Sequence, residues 1–194
     1  MIGKNMSGID AAGNYPRPKA GGYIIRITRA VNNPSKERTE FEFDIADGQF
    51  KDYYKDLHER AKFWGGVFYK SYTDKALPFY KGFTRAVLDS NENTDGLVIG
   101  DYEDVDETKF VGKLVGMAIG EKEYMGNDGT IKTKLDTYNA VFTTVNDIEI
   151  GNYKVPDFIP FEEGPSAGSA TVVDTTASEE IPEGFKESAE TDPF

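Results

Sequence analysis

A chain of 194 residues, 38% hydrophobic and 13% aromatic, can bury one real core and carry an appended segment, but is short for two comfortable domains. The absence of cysteine excludes a disulfide framework, a thiol nucleophile and cysteine-bound zinc or iron–sulfur centres. The net charge of −12 is polarised: residues 160–194 hold nine acids against the single base Lys186, whereas residues 1–40 hold seven bases and three acids, so the total says little about the potential at any one groove.

Residues 1–18 are polar, with Pro16 and Pro18, and read as a flexible arm. No signal-like apolar region opens the chain and no long apolar run follows, so a soluble, cytoplasmic protein is expected. From Gly21, the alternation of Tyr23, Ile25 and Ile27 with Ile24, Arg26 and Thr28 predicts a strand with one apolar face, Arg26 pointing away from it. A turn at Asn32-Asn33-Pro34-Ser35 leads to a second strand through Phe41, Phe43 and Ile45, paired antiparallel with the first. Phe50, Tyr53, Tyr54, Leu57 and Ala61 then recur at helical spacing. His58, the single histidine, lies off that stripe and has no partner motif, so it reads as a surface residue.

The stretch from Lys62 to Leu88 concentrates aromatics beside cations. Trp64 either ends the first helix before Gly65-Gly66 or belongs to a strand beginning at Lys62. In both readings Val67 to Tyr72 is extended, with Phe68, Lys70 and Tyr72 on one face and Val67, Tyr69 and Ser71 on the other. A second helix spans Leu77 to Leu88, with Pro78 in its first turn and its aromatics serving the core. The acidic loop beyond it does not fit a calcium loop, because Thr94 stands where glycine is required and Gly100 where glutamate is required.

Phe110 to Ile119 reads as a largely apolar third strand with no phosphate-binding glycine motif. Glu121 to Met125 and Thr130 to Tyr138 flank the turn signal Asn127-Asp128-Gly129. On the outgoing strand Lys132, Lys134 and Tyr138 share a face, which repeats the basic-aromatic pattern. Further strands are expected at Ala140 to Val145 and Ile148 to Val155. Residues 160–194 are too poor in apolar side chains to offset the entropy of ordering and read as a disordered acidic tail. That tail ends Asp192-Pro193-Phe194, a ring beside a carboxylate that could fill an apolar pocket with a basic rim.

The tail resembles the acidic C-terminal tip of bacterial single-stranded DNA-binding proteins, which ends Asp-Asp-Ile-Pro-Phe; this chain keeps the Asp and Pro-Phe and lacks the Ile. The body resembles phage and mobile-element single-stranded DNA-binding proteins through GGYIIRIT (21–28), FDIADG (43–48), WGGVFYKSY (64–72), KALPFYKGFTRAV (75–87), Ser90-Asn91, KFVGKLVG (109–116), the NDG turn and YKVP (153–156). The resemblance implies a β-rich α+β domain over residues 19–159: an OB-fold-like antiparallel barrel with two inserted helices, followed by the acidic tail. It implies a non-enzymatic protein of DNA replication, recombination and repair, without cofactor or metal, located in the host cytoplasm if phage-encoded. Its tip, Asp192, Pro193 and Phe194, would bind host or phage replication and repair proteins; self-association is left open.

The expected DNA contacts are phosphates along Arg26, Lys70, Lys132 and Lys134, with bases stacked on Trp64, Phe68, Tyr72 or Tyr138. Two rival readings stand beside this one. An acidic protein-interaction module mimicking DNA is motivated by the pI of about 4.6 and the acids from Asp101 to Glu107. A metal-dependent nuclease would need clustered carboxylates, and the sequence shows no clustered motif.

Overall fold

The computed structural model describes residues 16–94, 96–97 and 106–162. The expectations for residues 1–15 and for the acidic tail, including Asp192, Pro193 and Phe194, lie outside the described residues, as does most of the acidic stretch from Asp101 to Glu107. The chain divides into two compact units. The first, within the described residues, comprises 16–121 and 135–158, and the second 122–134 and 159–162.

The strands are β1 (Gly21–Asn33), β2 (Arg38–Ile45), β3 (Val67–Ser71), β4 (Leu114–Met125) and β5 (Ile131–Thr143). Helices α1 (Tyr53–Ala61), α2 (Leu77–Asp89) and α3 (Val145–Glu149) complete a β-rich α+β architecture. The strands form one antiparallel sheet in the order β3-β2-β1-β4-β5. β1 serves two partners. Its first part, Gly21 to Arg26, pairs with β4, and Ile25 to Asn33 pairs with β2 across a register shift between Ile27 and Arg29. An extra residue there bends the strand and increases its twist.

The sheet is open, with β3 and β5 at its edges, so no closed barrel is formed by backbone pairing. The two edge strands meet through side chains instead: the Phe142 ring lies 4.7 Å from that of Phe68. The core of the first unit collects the inward faces of the strands, Ile25 and Ile27, Phe41 and Phe43, Phe68, Val115, Met117 and Ile119. Helix α2 lays Tyr80, Phe83 and Val87 on this layer. Phe41 stacks on Phe68 at 4.9 Å and Phe83 on Phe110 at 5.4 Å. Burying each such ring contributes about 1.5–3 kcal/mol.

Helix α1 departs from its expected ends. It begins at Tyr53 because the buried Asp44 carboxylate accepts the backbone N–H groups of Tyr54 and Lys55, two of the donors a helix start leaves unpaired. It ends at Lys62, which takes a left-handed conformation with φ 58°, not at Gly65-Gly66. Gly66 has a different task. Its carbonyl accepts from Phe43 N at 2.8 Å, and a Cβ there would overlap the Phe43 carbonyl and the Tyr54 ring. Only glycine permits this approach.

Three expected strands are corrected. Glu107–Phe110 forms a 3-10 turn begun by Asp106, which accepts from Thr108 N at 3.0 Å; β4 then starts at Leu114 and runs without a break to Met125. The expected strand from Ile148 is preempted by α3, whose capping box joins Thr144 and Asp147 in both directions. Ala140 to Val145 is not separate either, since β5 continues from Ile131 to Thr143.

In the second unit the turn signal is met as read. Gly129 has φ 73°, Gly126 N donates to Thr130 O at 2.8 Å, and Asp128 accepts from Thr130 N at 3.1 Å. Residues 159–162 join the same unit through a bridge between Ile159 and Lys122 and a bond from Phe161 N to Glu123 Oε2.

Candidate functional site

The two sides of the sheet in the first unit differ in chemistry. Inward positions of β2 and β3 are Thr39, Phe41 and Phe43 against Lys70 and Phe68; outward positions are Arg38, Glu40 and Glu42 against Ser71, Tyr69 and Val67. The alternation expected for Val67 to Tyr72 is therefore present. The face expected to meet DNA is the one that meets the core.

Phe68 carries the main correction. It is 1% exposed and surrounded by Phe41, Phe43, Phe83 and Phe142, so no base can reach its ring. Lys70 also turns inward: its ammonium lies 4.1 Å over the Phe142 ring and 5.7 Å from that of Phe83. Burial pulls its pKa down to about 8 from the usual value of 10.5. The Phe142 face offsets part of that desolvation.

A pH dependence follows with a fixed sign. Between about pH 8 and 10.5 the unfolded chain holds the Lys70 proton and the folded chain has released it, so stability rises with pH across this window. Lys70→Met should remove that rise and match or exceed the parent stability at pH 7, by at most about 3 kcal/mol. Urea unfolding of both proteins at neutral pH and near pH 10 measures it, and a parent protein without the rise would refute the inward lysine.

Tyr72 and Trp64 are half-buried and tied to the protein itself. The Tyr72 hydroxyl donates to Asn32 Oδ1 at 2.9 Å, and Trp64 Nε1 donates to the Gly66 carbonyl at 3.1 Å. The Trp64 ring meets the exposed His58 edge-on at 6.0 Å. Arg26 is exposed on the outward side of β1, and Tyr138 is 73% exposed on β5. Lys132 and Lys134 belong to the second unit, where Lys132 Nζ pairs with Asp128 at 3.3 Å and Lys134 Nζ sits 4.8 Å over the Tyr124 ring. Of the expected residues in the first unit, Phe68 and Lys70 thus turn inward while Arg26 and Tyr138 are exposed.

The outward face of β1, β2 and β3 holds a set the sequence reading passed over. The Arg38 guanidinium stacks on the Tyr69 ring at 3.9 Å, with Tyr69 38% exposed. Glu40 fixes this pair, its Oε1 accepting from Arg38 Nε at 3.0 Å, Arg38 Nη2 at 2.8 Å and Asn33 Nδ2 at 2.9 Å. These bonds, the Arg38 pair foremost, hold the Glu40 carboxyl below its usual pKa. On the neighbouring row Arg29 Nη1 binds Glu42 Oε1 at 2.7 Å. Chemically this is an aromatic face under a planar cation, with two further arginines on the adjoining strand. Such a surface can stack a flat ring and hold an anionic backbone.

No protein-family model and no curated protein matches the chain. A shallow concavity of about 420 Å³, lined by Phe50, Lys51, Tyr53 and Arg60 among others, contains none of the residues above. Among the described residues no group of three or more His, Asp or Glu side chains is placed to hold a metal ion, and no helix is long and apolar enough to cross a membrane.

Proposed function

We propose that this chain is a non-enzymatic binder of single-stranded DNA with little sequence preference, serving replication and recombination in a phage or mobile element. The observation that carries the reading is the Arg38–Tyr69 platform, with Arg29 on the outward side of β1 opposite Glu42 and Arg26 farther along the same side opposite Asp44. A base stacks on Tyr69 or on the Arg38 plane while the arginines meet phosphates, and every base offers a ring face, which keeps sequence preference slight.

The architecture supports the same reading. The order β3-β2-β1-β4-β5, with α2 inserted between β3 and β4, is the order expected if an OB-fold were opened between β3 and β5, which supports this reading. A long β1 shared by two partners, and the Phe68–Phe142 contact across the opening, suit such a partly open barrel. On this reading the ligand lies over the outward side of β2 and β3, and the tip Asp192-Pro193-Phe194 recruits replication and repair proteins.

Fluorescence anisotropy of labelled oligo-dT, titrated with the protein at several salt concentrations, tests the proposal. Binding should weaken linearly on a log–log plot, with a slope near −0.7 for each phosphate neutralised. Failure to bind at the lowest salt would sink it.

A further inference from the structure

Two of the three arginines on the proposed face are already neutralised by the face itself. Arg29 lies opposite Glu42 in the β1–β2 register and binds it at 2.7 Å. Arg38 binds Glu40, two residues along the same strand, through two nitrogens. Both pairs are partly exposed, with side-chain exposures of 62% and 32% for Arg29 and Glu42, and 26% and 35% for Arg38 and Glu40. Pairs in that setting are worth little to stability, a median of about 0–1 kcal/mol. Folding therefore does not account for two glutamates in the middle of a surface meant for phosphates.

We infer that Glu40 and Glu42 are built-in counter-ions of the binding face, each occupying the arginine a phosphate would take and thereby setting the affinity for single-stranded DNA. The inference rests on the reading above and goes beyond it. A strand arriving at the face must exchange its phosphate for a carboxylate at Arg29 and at Arg38. The released carboxylate stays beside the bound phosphate, held by its strand, and repels it. Where a free arginine would give up only mobile ions, these two sites exchange one fixed anion for another, so fewer ions are released and the salt dependence is shallow. Glu40 has a second action of opposite sign, because its bonds to Arg38 keep the guanidinium flat on Tyr69. The neutral amide of glutamine can still accept from Arg38, so Glu40→Gln separates charge from position.

The experiment uses the full-length chain and fluorescein-labelled oligo-dT, comparing the parent with Glu40→Gln, Glu42→Gln, the double variant, and Glu149→Gln as a control of equal net charge on exposed α3. Each of the first two should tighten binding about fivefold at low salt, the size expected for removing one charge a few ångströms from a phosphate in water. The double variant should be tighter still, with a salt slope steeper by up to about 1.4, and the control should match the parent. Parent binding that is unchanged or weakened in the double variant, or a control that tightens equally, overturns the counter-ion role and leaves the DNA-binding reading standing. Absence of binding by parent and variants alike overturns both. Urea unfolding of each variant identifies any loss due to unfolding, and an apparent loss of affinity in a folded Glu40→Gln counts against the inference.

Discussion

Phe68→Ala is expected to destabilise the protein by about 3–5 kcal/mol, the usual cost of emptying a buried aromatic site. The ring is 1% exposed, and four other rings lie within 6 Å of its centroid. It also joins the two edge strands, since its neighbour Phe142 comes from β5. Against a typical stability of about 5–15 kcal/mol, such a loss leaves a marginal fold. Urea unfolding followed by Trp64 fluorescence measures it. Phe68→Leu, which keeps most of the volume, should recover the greater part. If Phe68→Ala instead unfolds at the parent midpoint yet loses oligo-dT binding, Phe68 is a contact and its inward placement is wrong.

Tyr69→Ala, one residue on, should do the reverse. Tyr69 is 38% exposed on the outward face and lies outside the core cluster, so the unfolding midpoint should move much less than in Phe68→Ala. Affinity for oligo-dT should fall about 5- to 150-fold, corresponding to about 1–3 kcal/mol for one lost base stack and the loss of the surface under Arg38. Tyr69→Phe keeps the ring and should bind like the parent. Equal binding by Tyr69→Ala and the parent would move the ligand off this face. The opposite outcomes at consecutive positions follow from the two-residue period of a strand.

That period also shows how much of the molecule was legible in the sequence. The alternation at Tyr23–Ile27 and Phe41–Ile45, the helical spacing from Leu77 and the Asp128-Gly129 turn each produced the element expected, because local patterning and burial agree there. What periodicity could not supply was the side of β3 that faces the core. Phe68, Lys70 and Tyr72 look like a stacking surface because aromatics and a cation alternate, and a lysine seldom marks an inward position. In the fold Lys70 is accommodated by the face of Phe142, a residue 72 positions away on β5, and no local pattern announces that contact.

Arg29, Arg38 and Tyr69 were missed for the complementary reason. Arg29 has a glutamate partner that comes from strand register, Arg38 has one two residues along its own strand, and Tyr69 sits in the alternation on the side taken to be the back. Helix α3 is a different case. Thr144 and Asp147 stand three residues apart ahead of Ile148, a helix-start signal present in the sequence and outweighed by the apolar alternation after it.

Photo-crosslinking reads ligand and location on the outward face of β3 together. Oligo-dT in which bromodeoxyuridine replaces thymidine would be irradiated with the full-length protein at low salt and the attached peptide identified by mass spectrometry. Crosslinks are expected on β3 at Tyr69, removed by excess unlabelled single strand and lost in Tyr69→Ala. Crosslinks confined to residues away from the outward face of β1, β2 and β3, or none at a protein concentration that saturates the oligonucleotide, would contradict binding at this face.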